Sequence, residues 1–134
     1  MRIMTEFQLH ERLAQDLIFI KDLKLSRLMV LPDKENPWCV LIPRRQGLTE
    51  LHHLNTQDQS QILNEINFVS QIFEKAFAPD KINVASLGNM VNQLHFHVIA
   101  RYRDDRAWPG AIWGTQPLQD RKFDVKDVML ASVT

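Results

Sequence analysis

Gln93-Leu94-His95-Phe96-His97-Val98-Ile99-Ala100 alternates polar and apolar residues as far as Val98 and then continues apolar. A strand sends successive side chains to opposite faces, so Leu94, Phe96 and Val98 point one way while Gln93, His95 and His97 point the other. Each imidazole carries two ring nitrogens that need partners, and burying one unpaired costs about 1–3 kcal/mol. A polar row on a strand that is otherwise core material is expensive unless it serves a purpose.

Working outward, the alternation predicts a strand over Val91 to Arg101, preceded by a Gly88-Asn89 turn and a strand from Lys81 to Ser86. Upstream, Ile62, Ile66, Val69, Phe73 and Phe77 recur at helical spacing, with Thr56 as the expected N-cap and Pro79 as the stop. Trp38-Cys39-Val40-Leu41-Ile42 is apolar throughout, which implies a central strand covered on both faces; Pro43 ends it and Arg44-Arg45 follow. Pro32 to Pro37 is a loop. Leu17 to Ile20 and Leu25 to Leu31 read as strands separated by a Lys21-Asp22 turn, after a short helix over Phe7 to Gln15. Beyond the strand that carries the histidines, Trp108-Pro109-Gly110 and Trp113-Gly114 mark an irregular segment, and the chain ends in a polar tail. The expected fold class is α+β, a mainly antiparallel sheet covered by one long helix, with residues 1–134 as a single domain.

The chain has 134 residues, 45% of them hydrophobic and 24% charged, which excludes disordered and low-complexity classes. Sixteen basic residues balance sixteen acidic ones, which argues against a nucleic-acid surface. Glu6, Glu11 and Arg12 interrupt any leader-like apolar stretch, and no run approaches the roughly 18–20 residues of a membrane helix. The lone Cys39 lies in the apolar strand and reads as a core residue of a soluble, cytoplasmic protein.

Three readings of the polar row compete. The imidazoles are solvated or satisfied within the core; they hold a metal, for which His52, His53 or a carboxylate would have to supply a third ligand; or one is a nucleophile towards phosphorus while its neighbours hold phosphate oxygens. The spacing from His52-His53 to His95 fits no zinc pattern, and no P-loop, G-x-G-x-x-G, H-E-x-x-H or G-x-S-x-G signature is present.

Gln93 to Ile99 resembles the histidine-triad (HIT) motif, His-φ-His-φ-His-φ-φ with φ apolar, with Gln93 in place of the first histidine. The order of the surrounding elements is similar as well: Val40-Leu41-Ile42-Pro43-Arg44-Arg45, the helix entrance from Leu48 to Leu54, the long helix, and Asn83 ahead of the motif. The resemblance covers about residues 17–110. Trp108-Pro109-Gly110 is similar to the C-terminal segment of the Hint branch, and the combination with Trp113-Gly114 resembles small bacterial HIT-family hydrolases.

The resemblance implies a nucleotide hydrolase or nucleotidyl transferase acting at the α-phosphate of nucleoside phosphoramidates or dinucleoside polyphosphates. His95 would be the nucleophile, oriented through its other ring nitrogen by a backbone carbonyl, and His97 the phosphate stabiliser. Gln93 would orient without relaying protons. Asn83, Asn89 and Asp33 would be substrate contacts, Asp33 at the ribose. A homodimer is implied, and neither a cofactor nor a bound metal. Arg44, Arg45, Arg101 and Arg103 stand at strand ends, as phosphate-gathering charges or as ordinary surface. Trp38 stands where several relatives carry a further histidine; an aromatic that opens a buried strand is commonly core or interface. Trp108 and Trp113 would cover the site or a dimer seam. The rival reading is a catalytically weak or silent nucleotide-binding module.

Overall fold

The apolar run Trp38–Pro43 forms the middle strand of a five-stranded sheet, buried at all six positions. The computed structural model describes residues 6–118 and 123–134. In chain order the elements are α1 (Glu11–Asp16), β1 (Ile18–Asp22), β2 (Ser26–Val30), β3 (Trp38–Pro43), α2 (Thr56–Phe77), β4 (Lys81–Ala85), β5 (Phe96–Arg101) and α3 (Val125–Ser132), with a short 3-10 turn at Leu51–His53. The strands lie in the order β1-β2-β3-β5-β4, and every neighbouring pair is antiparallel. The architecture is thus α+β, a mixed fold of antiparallel sheet and long helix.

Helix α2 buries Ile62, Val69 and Phe73 against one face of the sheet, where they meet Leu28, Cys39, Leu41, Phe96 and Val98. Each such side chain contributes about 1.5–3 kcal/mol on leaving water. Its cap is Asn55 rather than Thr56: the Asn55 side-chain oxygen accepts from the Asp58 backbone N–H at 2.8 Å. The helix ends as expected before Pro79, with Ala78 in the left-handed region.

One acid breaks the apolar face of α2. Glu65 is buried and accepts from the backbone N–H groups of Leu25 and Ser26 at 2.9 and 3.0 Å. It thereby ties the β1–β2 turn to the helix. Lys21 and Asp22 consequently belong to β1, and the chain reverses at residues 23–25 instead.

Three further boundaries differ from expectation. Strand β5 begins at Phe96 and not at Val91, because the preceding residues bond to loops: Leu94 N–H donates to the Leu48 carbonyl and the His95 carbonyl accepts from the Ser86 hydroxyl. The alternation nonetheless survives, with Leu94 in the helix-side core beside Phe96 and Val98. Helix α1 is shorter than Phe7 to Gln15, since His10 caps it through Nδ1, which accepts from the Arg12 N–H at 3.0 Å. The tail is more than polar: α3 packs Val125 and Met129 into the helix-side core.

Candidate active site

The sheet face opposite α2 carries Met29, Trp38, Val40, Ile42 and Ile99, covered by Leu13 and Leu17 from the N-terminal segment and by Ile112. In the β3–β5 register Val40 stands opposite His97 and Trp38 opposite Ile99. His97 therefore emerges within an apolar surface, and His95, two residues earlier, lies beside it with ring centroids 5.1 Å apart. Both are buried.

Their hydrogen bonds assign the protons. His95 Nδ1 lies 2.6 Å from the Gln93 carbonyl oxygen. A carbonyl only accepts, so Nδ1 carries a proton, and Nε2 is the ring nitrogen that the backbone does not engage. His97 Nδ1 lies 2.9 Å from the Trp38 indole Nε1. An indole N–H only donates, so here Nδ1 is the acceptor and the proton sits on Nε2. Burial, together with the adjacent His95, pushes His97 down to about 4. The site thus holds two imidazoles tied through Nδ1 in opposite senses, His95 as a donor and His97 as an acceptor.

A cavity of about 380 Å³ opens on this pair. Leu13, Leu17, Leu31 and Val40 form its apolar wall, and Trp113 stands edge-on to both His97 and Trp38, at 5.3 and 5.7 Å. Leu87, Asn89, Met90 and Val91 supply one rim and Arg12 and Asp16 of α1 the other. A predominantly apolar wall with a few convergent polar groups is the usual make-up of a small-molecule site.

The HIT domain sequence profile matches residues 12–104. The chain belongs to the HIT domain family. Three solved structures agree along almost the whole length. A histidine triad protein from Bradyrhizobium japonicum is 39% identical with TM-score 0.83, covering 96% of both chains. One from Sinorhizobium meliloti is 37% identical with TM-score 0.84, covering 94% of this chain and 93% of that one. One from Marinobacter aquaeolei is 40% identical with TM-score 0.84, covering 96% and 93%. Comparison with curated proteins gives no match. HIT-family proteins in general bind and hydrolyse nucleotides.

Of the residues singled out in this HIT sequence, the structure brings His95, His97 and Asn89 to one cavity and places three elsewhere. The Gln93 side chain turns away from His95: its oxygen accepts from the His10 N–H at 2.8 Å and its amide donates to the Gln8 carbonyl at 2.8 Å. It lines a separate groove with Gln8, Gln46 and Asn92, and only its backbone carbonyl orients the neighbouring imidazole. Asn83 sits on edge strand β4 opposite Ile99 and accepts from Arg101 at 2.7 Å. Asp33 accepts two guanidinium bonds from Arg106, at 2.9 and 2.8 Å, and caps the Glu35 and Asn36 N–H groups. Its carboxyl is driven up by burial but down more strongly by Arg106 and those backbone donors, and stays below the usual range.

The strand-end arginines of this HIT domain are mostly engaged internally. Arg101 is almost fully buried and pairs with Asp105 at 2.7 Å. Arg45 pairs with Asp58 and Arg44 donates to the Leu23 carbonyl, while Arg103 is exposed. Trp108 lies over Arg101, and Trp113 over the histidines. His52 and His53 meet edge to face at the 3-10 turn, where His53 Nδ1 accepts from the Glu50 N–H. Among the described residues no cluster of three or more His, Cys, Asp or Glu is arranged to hold a metal ion, and no helix is long and apolar enough to cross a membrane.

Two contributors to the site were missed in the sequence. The hydrogen bond from Trp38 to His97 depends on the β3–β5 register, which single strands do not specify. The wall from α1 depends on the N-terminal segment folding back across the sheet. The apolar spacing of Leu13 and Leu17 is the only sign of it in the sequence.

Proposed function

We propose that this HIT protein cleaves nucleotides at the α-phosphate through a nucleotidyl-histidine intermediate on His95. The observation that carries the reading is the pair of imidazoles held through Nδ1 in opposite senses at one cavity wall. The His95 Nε2 lone pair attacks the α-phosphorus, and the P–O or P–N bond to the leaving group breaks with its electron pair. The positive charge that develops on His95 is stabilised through Nδ1–H by the Gln93 carbonyl, and His97 Nε2–H donates to a non-bridging phosphate oxygen. Water then forms a new P–O bond as P–Nε2 breaks, releasing nucleoside monophosphate and a proton. The apolar wall suits a flat base, and Asn89, which lines the same cavity, would be a polar contact. Phosphoramidates and dinucleoside polyphosphates are the proposed substrate classes.

A second reading, a weakly active or silent nucleotide-binding module, is favoured by one feature. The Gln93 side chain is committed to the N-terminal segment, so the first position of the motif brings no proton relay to a leaving group. The two readings separate in a release assay over both substrate classes. The enzyme reading expects nucleoside monophosphate from the wild type and a loss of about a thousandfold or more in His95→Ala. Nucleotide at a hundred times its Kd should still stabilise both proteins by about 2.7 kcal/mol. Turnover that persists in His95→Ala removes the covalent step. Stabilisation by nucleotide without turnover in the wild type makes the binding module the function.

A further inference from the structure

Trp38 is the one protein group bonded to Nδ1 of His97, and its indole N–H, 4% exposed as a residue, has no other partner among the described residues. The register places Trp38 diagonally across from His97 on the same face of β3 and β5. Trp113 packs edge-on against both rings and closes the pair from above. A proton added to His97 Nδ1 would set two N–H groups head to head in a buried space.

We infer that Trp38 is a positioning residue that locks His97 as a neutral Nε2–H donor, so that the phosphate-facing ring keeps one tautomer on acidification. The lock itself stands on the geometry, and its consequence for turnover rests on the proposed nucleophilic role of His95.

The surroundings of His97 contain little to oppose the lock. Across β3 stands Val40, and across β4 stands Ala85. From the loop before β5 come His95 and the uncharged Asn89 and Met90, and from the C-terminal segment Trp113. The charged groups at this cavity are Arg12 and Asp16 on α1, which face each other at 3.9 Å and are both more than half exposed. Solvent screens such a pair, which leaves the indole as the directional partner. Burial and the adjacent His95 lower the proton affinity of His97 in the same direction as the lock.

The lock separates two tasks that a pair of equivalent imidazoles would share. Protons on two neighbouring rings titrate as a coupled system. With His97 held neutral, that ring drops out of the coupled system and keeps a single task. The His97 donor towards phosphate keeps its orientation down to pH values where a free imidazole is mostly charged.

The test is long-range 1H–15N NMR on protein labelled at histidine, wild type against Trp38→Phe, titrated from pH 8 to about pH 5. The expected wild-type pattern is His97 with Nε2 protonated and Nδ1 bare, unchanged across the range. A through-bond coupling should connect the Trp38 indole N–H to that Nδ1. Trp38→Phe keeps the aromatic packing and removes the donor, so His97 should show mixed tautomers and a titration midpoint raised by about one pH unit or more. A His97 that carries its proton on Nδ1 in the wild type, or a variant with the wild-type pattern and midpoint, overturns the lock. Should the variant fail to fold, the wild-type tautomer and the indole coupling decide alone. In turnover, the acid limb of kcat/KM should follow one proton in the wild type and change shape in Trp38→Phe. Absence of turnover in both proteins refutes the catalytic reading, while the NMR pattern still judges the lock.

Discussion

Replacing Asp33 with alanine tests whether its carboxylate is a structural clamp or a ligand contact. Asp33 and Arg106 are joined by two hydrogen bonds, with side chains only 8% and 5% exposed. Removing one partner of a buried pair leaves an uncompensated charge and costs about 3–5 kcal/mol. The Glu35 and Asn36 N–H groups lose their acceptor as well. For a chain of this size each kcal/mol lowers Tm by about 3–5 °C, so Asp33→Ala should melt about 10–20 °C below the wild type. Asp33→Asn restores an oxygen to the backbone donors and should recover about 1 kcal/mol. Urea unfolding followed by tryptophan fluorescence measures each. Combination with Arg106→Leu should be strongly non-additive, with a coupling of about 2 kcal/mol or more. A variant within 1 kcal/mol of the wild type in stability but with a raised KM would refute the clamp and return Asp33 to the ribose.

Two further outcomes are expected. Glu65→Ala strips the acceptor from the buried Leu25 and Ser26 N–H groups and should cost about 3 kcal/mol by denaturant unfolding; because Glu65 lies on the α2 side of the sheet, His95 chemistry per folded molecule should be unaltered. Stability should also fall in acid in two stages. His97 is held neutral at about 4 against its ordinary value near 6.5, so the unfolded chain binds the extra proton between those values and stability declines gently as pH drops through that window. Asp105 is pushed up by burial but held lower by Arg101 and its neighbours, and Asp33 behaves alike. Their contribution is complete above the ordinary carboxylate value and is lost below about pH 4. A Tm that stays level down to pH 3 would contradict both assignments.

The chemistry of the site was more legible than its construction. Alternation alone placed Leu94, Phe96 and Val98 in the core and His95 with His97 on the opposite face, even though regular strand begins only at Phe96. Helical spacing gave α2 to its last turn, because burial of Ile62, Val69 and Phe73 dominates that segment. What stayed hidden depends on contacts distant in sequence. Arg101 and Asp33 read as surface charge or ligand contacts, yet each meets its partner only once residues 105–106 fold back against the sheet. The Gln93 amide was expected beside His95; its choice of Gln8 and His10 is made by a segment more than eighty residues away. Helix α3 was lost in the tail because its buried side chains, Val125 and Met129, are too few to show a period.

The Gln93 side chain is a two-point clasp on the N-terminal segment, and one wall of the cavity hangs from it through Leu13 and Leu17. That wall belongs to no strand of the sheet. Its detachment is a local opening, with a free energy below that of global unfolding. The mouth of the cavity therefore has an equilibrium of its own, set by the Gln93 clasp, the Gln8 bond to Gln46 and the packing of Phe7, Leu9, Leu13 and Leu17. Amide exchange at His10 reports the opening. Release of Gln8 and His10 from Gln93 would widen access to the histidines while leaving all five strands paired, making the width of the entrance a property of the clasp and the chemistry a property of the sheet.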